Sequence, residues 1–177
     1  MGKRTDRETE RNQRRLVYRL GRPGWPEVTD LGRLDYRRAE RPLGLHDHPG
    51  ALEIVYMARG RQTYVVEGTP FHMRGGEVLA TFPDERHSTG GTPEEKSLIY
   101  WLVVRLDGKG RFLGLPAAEG RALRERLRRL PQRHFPGLPR MQELLEDALR
   151  YAGESGLPAE LLLRLRLIEF MLLIVEQ

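Results

Sequence analysis

His46-Asp47-His48-Pro49-Gly50-Ala51-Leu52-Glu53-Ile54-Val55-Tyr56-Met57-Ala58-Arg59-Gly60 decides how this chain is read. Two histidines one residue apart project from the same face of an extended strand, because strand side chains alternate with period two. Glu53 opens a run, Glu53–Met57, that reads as the next strand. If that strand returns beside the first, its carboxylate meets both imidazoles at one point, and His87 can close the group from a later strand. Three histidines and one carboxylate converging inside a small barrel make either a metal site or a polar ligand pocket. Alternation places Val55 and Met57 on the Glu53 side, so both are expected to line the same cavity. Tyr64 and Trp101 are the aromatic candidates for its walls.

Outward from this stretch, turn signals recur every eight to twelve residues between short β-rich runs, the spacing of an all-β barrel or sandwich. The expected strands are Val28–Tyr36, Leu52–Met57, Thr63–Glu67, Pro70–Met73, Val78–Phe82 and Leu98–Leu106. Glu67-Gly68-Thr69 and Gly75-Gly76 supply tight turns between them. Asp107-Gly-Lys-Gly110 ends the β portion, and helical periodicity begins after residue 115. The expected helices are Ala117–Leu130, stopped by Pro131, then Met141–Tyr151 and Pro158–Gln177. The division is therefore a polar tail or short helix over 1–15, a β-barrel over 16–115 and a helical element over 116–177.

The last helix carries two apolar stripes. Leu161, Leu165, Ile168, Leu172 and Val175 form one; Leu163, Leu167, Phe170 and Ile174 form the other, on nearly the opposite side. A helix apolar on both sides must be covered on both sides. The barrel or the other helices can cover one, and the same helix of a second subunit is the expected cover of the other, giving a homodimer through Leu161, Leu165, Ile168 and Leu172.

Of the 177 residues, 39% are apolar and none is cysteine. That excludes disulfides and thiolate metal sites and makes a reducing cytoplasm the simplest home. No secretory signal precedes the first strand, and the longest uninterrupted apolar run of the last helix, Phe170–Val175, cannot span a bilayer. The net charge of +5 comes from arginines interleaved with acids, as in 121–129, the pattern of a solvated helix face and not of a base-reading element. There is no Gly-x-Ser-x-Gly, and Ser88 directly after His87 is poorly placed for attack, so no nucleophilic residue is assigned.

The spacing His46-x-His48-x4-Glu53-x6-Gly60 resembles the first motif of the cupin superfamily. Gly76 and His87 stand at the ends of its second motif, while Glu40, Asp84 and Gly91 replace the family's opening glycine, inner glycine and late asparagine, and Pro83 is displaced by one. The motifs span residues 46–91, about a quarter of the chain. The wider pattern, His-x-His-Pro, Leu-Glu-Ile-x-Tyr, Tyr-x-Val-x-Gly and Gly-Glu-Val-Leu before Pro-x3-His, is similar to the N-terminal sensor domains of AraC-type transcription regulators.

The resemblance implies a mainly β chain: a cupin barrel (a double-stranded β-helix, or jelly roll) followed by α-helices. It implies a small-molecule ligand in the barrel, dimerisation through the helices, and contact with DNA only through a further C-terminal domain, for which the sequence would have to continue past Gln177. Imidazole and carboxylate ligands at His46, His48, Glu53 and His87 suit Zn, Ni, Fe or Mn. The alternative is a stand-alone metal-dependent cupin enzyme of dioxygenase or isomerase type. Plainer readings stand beside these: His46 and His48 as loop residues before Pro49-Gly50, Glu53 paired with Arg59 or Arg61, and the aromatics as simple core.

Overall fold

The computed structural model describes residues 5–10, 13–21, 27–108 and 111–177, with side chains from Arg15 onward. Residues 109 and 110 of the expected barrel-ending turn, and residues 1–4, 11 and 12 of the expected tail, lie outside them. The described strands are β1 (Thr5–Glu10), β2 (Gln13–Arg19), β3 (Val28–Tyr36), β4 (Ala51–Val66), β5 (Thr69–Arg74), β6 (Glu77–Thr81), β7 (His87–Ser88), β8 (Ser97–Arg105) and β9 (His134–Pro136). The helices are α1 (Ala117–Arg128), α2 (Pro139–Gly153) and α3 (Leu157–Val175). Fold class is as the sequence indicates: mainly β, an antiparallel barrel followed by helices. The sheet runs β1-β2-β3-β8-β4-β6-β9, with β5 and β7 pairing β4 off this path.

Three details differ from the sequence reading. Thr5–Glu10 and Gln13–Arg19 form an antiparallel hairpin where a tail or short helix is expected; their ladder continues the sheet through β3. A short strand, β9, falls between the first two helices and pairs with β6. The expected strands Leu52–Met57 and Thr63–Glu67 are one 16-residue strand. Its first half pairs β6 and β8, its second half β5 and β7, and the change occurs at a register shift between Met57 and Arg59. A bulge of this kind bends a strand and lets a sheet curl into a barrel. Gly60 makes the bend possible. Its φ is +96°, and a Cβ there would lie 2.4 Å from the Lys96 carbonyl oxygen. The next turn, Glu67-Gly68, has positive φ at both residues (46° and 79°), the geometry of a two-residue hairpin.

The central strands serve two cores at once. On one face, Leu52, Ile54, Tyr56, Tyr100, Leu102 and Val104 pack with buried residues of α1, α2 and α3. On the other, Val55, Met57, Tyr64, Met73, Leu79 and Ile99 form the barrel interior, with Leu34 and Tyr36. Both faces of β8 are covered, so Ser97–Arg105 reads as an apolar run without alternation. Tyr100 reaches through the helical side, where its hydroxyl donates to Glu146 of α2 at 2.5 Å.

In α3 the two stripes separate cleanly. Leu163, Leu167, Phe170 and Ile174 are at most 3% exposed, whereas Leu161, Leu165 and Leu172 are 46%, 56% and 46% exposed. Ile168 and Val175 are half-buried against the core.

Candidate functional site

Three segments deliver the four predicted ligands to one place. His46 and His48 lie in the extended segment before β4, Glu53 is the third residue of β4, and His87 opens β7. Reciprocal backbone hydrogen bonds, His46 N–H to the His87 carbonyl (3.1 Å) and His87 N–H to the His46 carbonyl (2.9 Å), clamp two of these segments together. One donor atom from each of His46, His48, Glu53 and His87 lies within 4.8 Å of every other. The ring centroids of His46 and His87 are 4.1 Å apart.

The orientation of the rings is set by backbone carbonyls. His46 Nδ1 lies 2.9 Å from the Gly44 oxygen and His87 Nδ1 lies 3.2 Å from the Glu85 oxygen. A carbonyl can only accept, so in both rings Nδ1 carries the proton and donates, and Nε2 is turned toward the group. His87 Nε2 then sits 2.8 Å from Glu53 Oε2, and His48 Nε2 sits 3.7 Å from Oε1. The shorter approach lacks the alignment of a hydrogen bond, and both Nε2 atoms are buried without a hydrogen-bond partner.

Burial pushes the Glu53 carboxyl up, but its contacts with His48 and His87 outweigh that and bring it down to about 2. Burial works against the charged form of His87, and the Glu53 contact reverses it, so His87 is raised. Without a metal, the Glu53 carboxylate and His87 therefore each favour the other's charged form.

The donor set fits a divalent transition metal. Ligand bonds of about 2.0–2.2 Å place donors up to roughly 4 Å apart, so a group within 4.8 Å needs only a small rotamer adjustment. The two unpartnered Nε2 atoms, each costing on the order of 1–3 kcal/mol if left unsatisfied, are what a cation would satisfy. Fixing Nδ1 on a carbonyl is also the usual outer support of a ligating histidine.

This group forms part of the lining of a cavity of about 310 Å³. Among the predicted pocket residues, Val55, Tyr64 and Trp101 line it, along with His46, His48 and Glu53. Met57 does not. It points the same way as Val55 but is fully buried one layer deeper, packed in the barrel's apolar cluster. His87 is 2% exposed and stands behind the other ligands, not among the lining residues. The alternative partners for Glu53 are engaged elsewhere: Arg59 with Asp35 and Arg61 with Glu95.

The cavity has a second polar end that the sequence reading misses. Tyr36 donates a short hydrogen bond to Glu94, and Arg15 lies with its guanidinium carbon 5.8 Å from the Trp101 ring centre. Burial raises the Tyr36 hydroxyl, helped by Glu94, and burial likewise raises the Glu94 carboxyl. Asp30, Leu34 and Tyr36 could have been found by the period-two argument that placed Val55, since all three are even-numbered positions of β3. Glu94 comes from a loop, and no periodicity announces it. Gly32 completes the wall by its lack of a side chain, because a Cβ there would fall 2.1 Å from the Trp101 ring.

The AraC-like ligand binding domain family matches residues 31–171, most of the barrel and nearly all of the helical element. The chain belongs to this family. No curated protein sequence matches this AraC-like domain. Among solved structures it is similar to KdgF from a Halomonas species, at 17% identity over 56% of this chain and 84% of that one, with a TM-score of 0.43. A predicted oxalate decarboxylase from Thermotoga maritima is 20% identical over 59% of this chain and 99% of its own, with a TM-score of 0.44. An RmlC-like cupin from Shewanella frigidimarina is 11% identical over 57% and 84%, with a TM-score of 0.42. No helix among the described residues is long and apolar enough to cross a membrane.

Proposed function

We propose that this AraC-like domain is the sensing unit of a transcription regulator: it binds a small polar molecule in its barrel and dimerises through α3. One observation carries the reading. A cavity of about 310 Å³ lies between a four-donor group and apolar walls, on a sheet whose opposite face packs directly against the helices. A few fixed polar groups in an apolar cleft are what a small-molecule site needs. Its size suits a sugar or another small metabolite.

In this reading His46, His48, Glu53 and His87 hold one divalent ion (Zn, Ni, Fe or Mn), and Val55, Tyr64 and Trp101 contact the ligand. A metal held there would supply Lewis-acid polarisation of a ligand oxygen. The leucine stripe of α3 docks on the same stripe of a second copy, burying Leu161, Leu165 and Leu172 that one chain leaves half-exposed. DNA is contacted through a further domain, and a reducing cytoplasm suits a chain with no cysteine.

Sensing requires that the ligand bind two states of the protein with different affinity. The test is a panel of sugars, sugar acids and small polar metabolites, read by melting temperature and by sedimentation of the dimer. A ligand that raises the melting temperature and moves the monomer–dimer balance supports the sensor. If saturating concentrations of the whole panel change neither, sensing is the wrong reading.

The unpartnered Nε2 atoms of His48 and His87 also favour a second reading, a metal-dependent cupin enzyme. It requires that Glu53→Ala abolish turnover of a substrate while the fold survives.

A further inference from the structure

The hydrogen bond that orients His87 ends on a residue that is itself held from the helical side of the molecule. Glu85 accepts from His87 Nδ1 through its backbone carbonyl, at 3.2 Å. Its carboxylate is gripped by Arg133, Nη1 to Oε2 at 2.7 Å and Nη2 to Oε1 at 2.8 Å, a two-pronged contact. Both side chains are mostly covered, 26% and 21% exposed. The Arg133 guanidinium also lies over Phe82 and Phe71, 5.0 Å and 5.7 Å from their ring centres. Arg133 belongs to the segment between α1 and β9, and its own carbonyl accepts from Ala80 N–H of β6 at 2.7 Å.

The turn that Arg133 holds is closed on itself and on the ligand segments. Phe82 N–H donates to Glu85 Oε2 (2.8 Å), and Glu85 N–H returns to the Phe82 carbonyl (3.2 Å). Asp84, with a φ of +67°, accepts from Gly50 N–H through Oδ1 at 3.1 Å. A shift of this turn would therefore move His87 relative to His46, His48 and Glu53.

An exposed ion pair would contribute at most about 1 kcal/mol and position nothing. The covered, two-pronged and ring-flanked contact here differs on each count, because arginine's planar fork fixes direction as well as distance.

We propose that Arg133 is a positioning residue for His87, so that metal occupancy of the barrel and the placement of the segment entering β9 and α2 depend on each other. The inference rests on the reading that the four-residue group holds a metal. It deepens that reading by giving the physical route from the site to the helices. Linkage makes the dependence reciprocal: whatever Arg133 contributes to metal affinity, bound metal returns as tighter attachment of the β9 segment.

The experiment uses the full chain, with Zn²⁺ and Ni²⁺ affinities measured by competition against a chromophoric chelator for wild type, Arg133→Lys, Arg133→Met and Glu85→Gln. Near-ultraviolet circular dichroism checks that each variant is folded. Losing an outer-shell support typically weakens a metal site by about 10–100-fold. We expect Arg133→Met to bind roughly 10-fold more weakly and Arg133→Lys to fall between it and wild type. Adding Glu85→Gln to Arg133→Met should cost little further, since the Arg133 contact is already gone and a glutamine oxygen still accepts from Phe82 N–H.

The Ala80 amide is the second readout, because its hydrogen bond ends on the Arg133 carbonyl. Metal should slow its hydrogen exchange in wild type, and Arg133→Met should abolish that slowing. A merely structural role would lower melting temperature in metal-free protein and leave affinity and the metal effect on Ala80 unchanged. Wild-type binding with variants equal within about twofold overturns the Arg133 inference alone. Wild type that binds neither ion, nor Fe²⁺ or Mn²⁺ in the same competition, overturns the metal reading beneath it.

Discussion

His48→Ala separates metal binding from folding better than His87→Ala does. His87 is 2% exposed, and removing it would leave the buried Glu53 carboxylate short of its nearest cation, a loss of about 3–5 kcal/mol in comparable buried pairs. A melting change in that variant would say little about metal. His48 is 27% exposed and 3.7 Å from Glu53, a looser contact than the 2.8 Å one of His87, so its loss should lower metal-free stability less than the loss of His87. Its Nε2 is nonetheless one of the four converging donors and has no other partner. A ligand that binds only the folded state stabilises it by RT ln(1 + [L]/Kd), about 2.7 kcal/mol at 100 times Kd. For a chain of this length each kcal/mol moves the melting temperature by about 2–4 °C. Scanning calorimetry of chelator-stripped wild type should therefore show a rise of roughly 5–11 °C on saturation with the preferred ion. The rise should be absent in His48→Ala at the same free metal concentration. If Zn²⁺, Ni²⁺, Fe²⁺ and Mn²⁺ all leave wild type unmoved, the four-donor argument is wrong, and the residues are pocket and scaffold only.

Leu165→Glu places a charge in the middle of the exposed α3 stripe, and analytical ultracentrifugation should find it monomeric with a near-wild-type melting temperature. Wild type that sediments as a monomer at tens of micromolar would refute the stripe's role. Gly60→Ala forces a side chain into a +96° backbone and against the Lys96 carbonyl, so urea unfolding should show a loss of at least about 1–3 kcal/mol. An unchanged midpoint would mean that the bulge does not need glycine. Glu77 and Glu85 predict an acid limit. Burial pushes both up, but His134 and Arg133 outweigh it, so both lie below their ordinary 4.5. Such carboxylates stabilise the fold fully above the ordinary value and lose that contribution as pH falls through the lowered one. Metal-free melting temperature should hold near neutrality and decline below about pH 4.5, less steeply in Glu85→Gln. An equally steep decline in that variant would remove Glu85 from the account.

Much of this was readable from local chemistry. Strand alternation puts His46 and His48 on one side and Glu53 begins a β-rich run, both from rules that act over a few residues, while the motif resemblance is what points to His87. The two stripes of α3 are likewise a matter of helical period, and the structure decides only which one the core takes. The same rules fail where the answer depends on what lies across the fold. Met57 shares Val55's side but is buried a layer deeper, because alternation gives a direction and no depth. Glu94 and Arg15 reach the cavity from a loop and a neighbouring strand, and nothing in their own sequence surroundings marks them. Thr5–Glu10 and Gln13–Arg19 are as charged as a solvated tail, yet they pair as antiparallel strands because the edge of β3 offers them a ladder. The Arg133–Glu85 contact joins positions 48 residues apart, and neither stands out among so many arginines and acids. Residue spacing along the chain determined which groups are the candidates for chemistry here. Only the closing of the barrel at Gly60, and the packing of helices on its outer face, decided which of them meet, because contact between distant segments is a property of the folded sheet and not of any stretch within it.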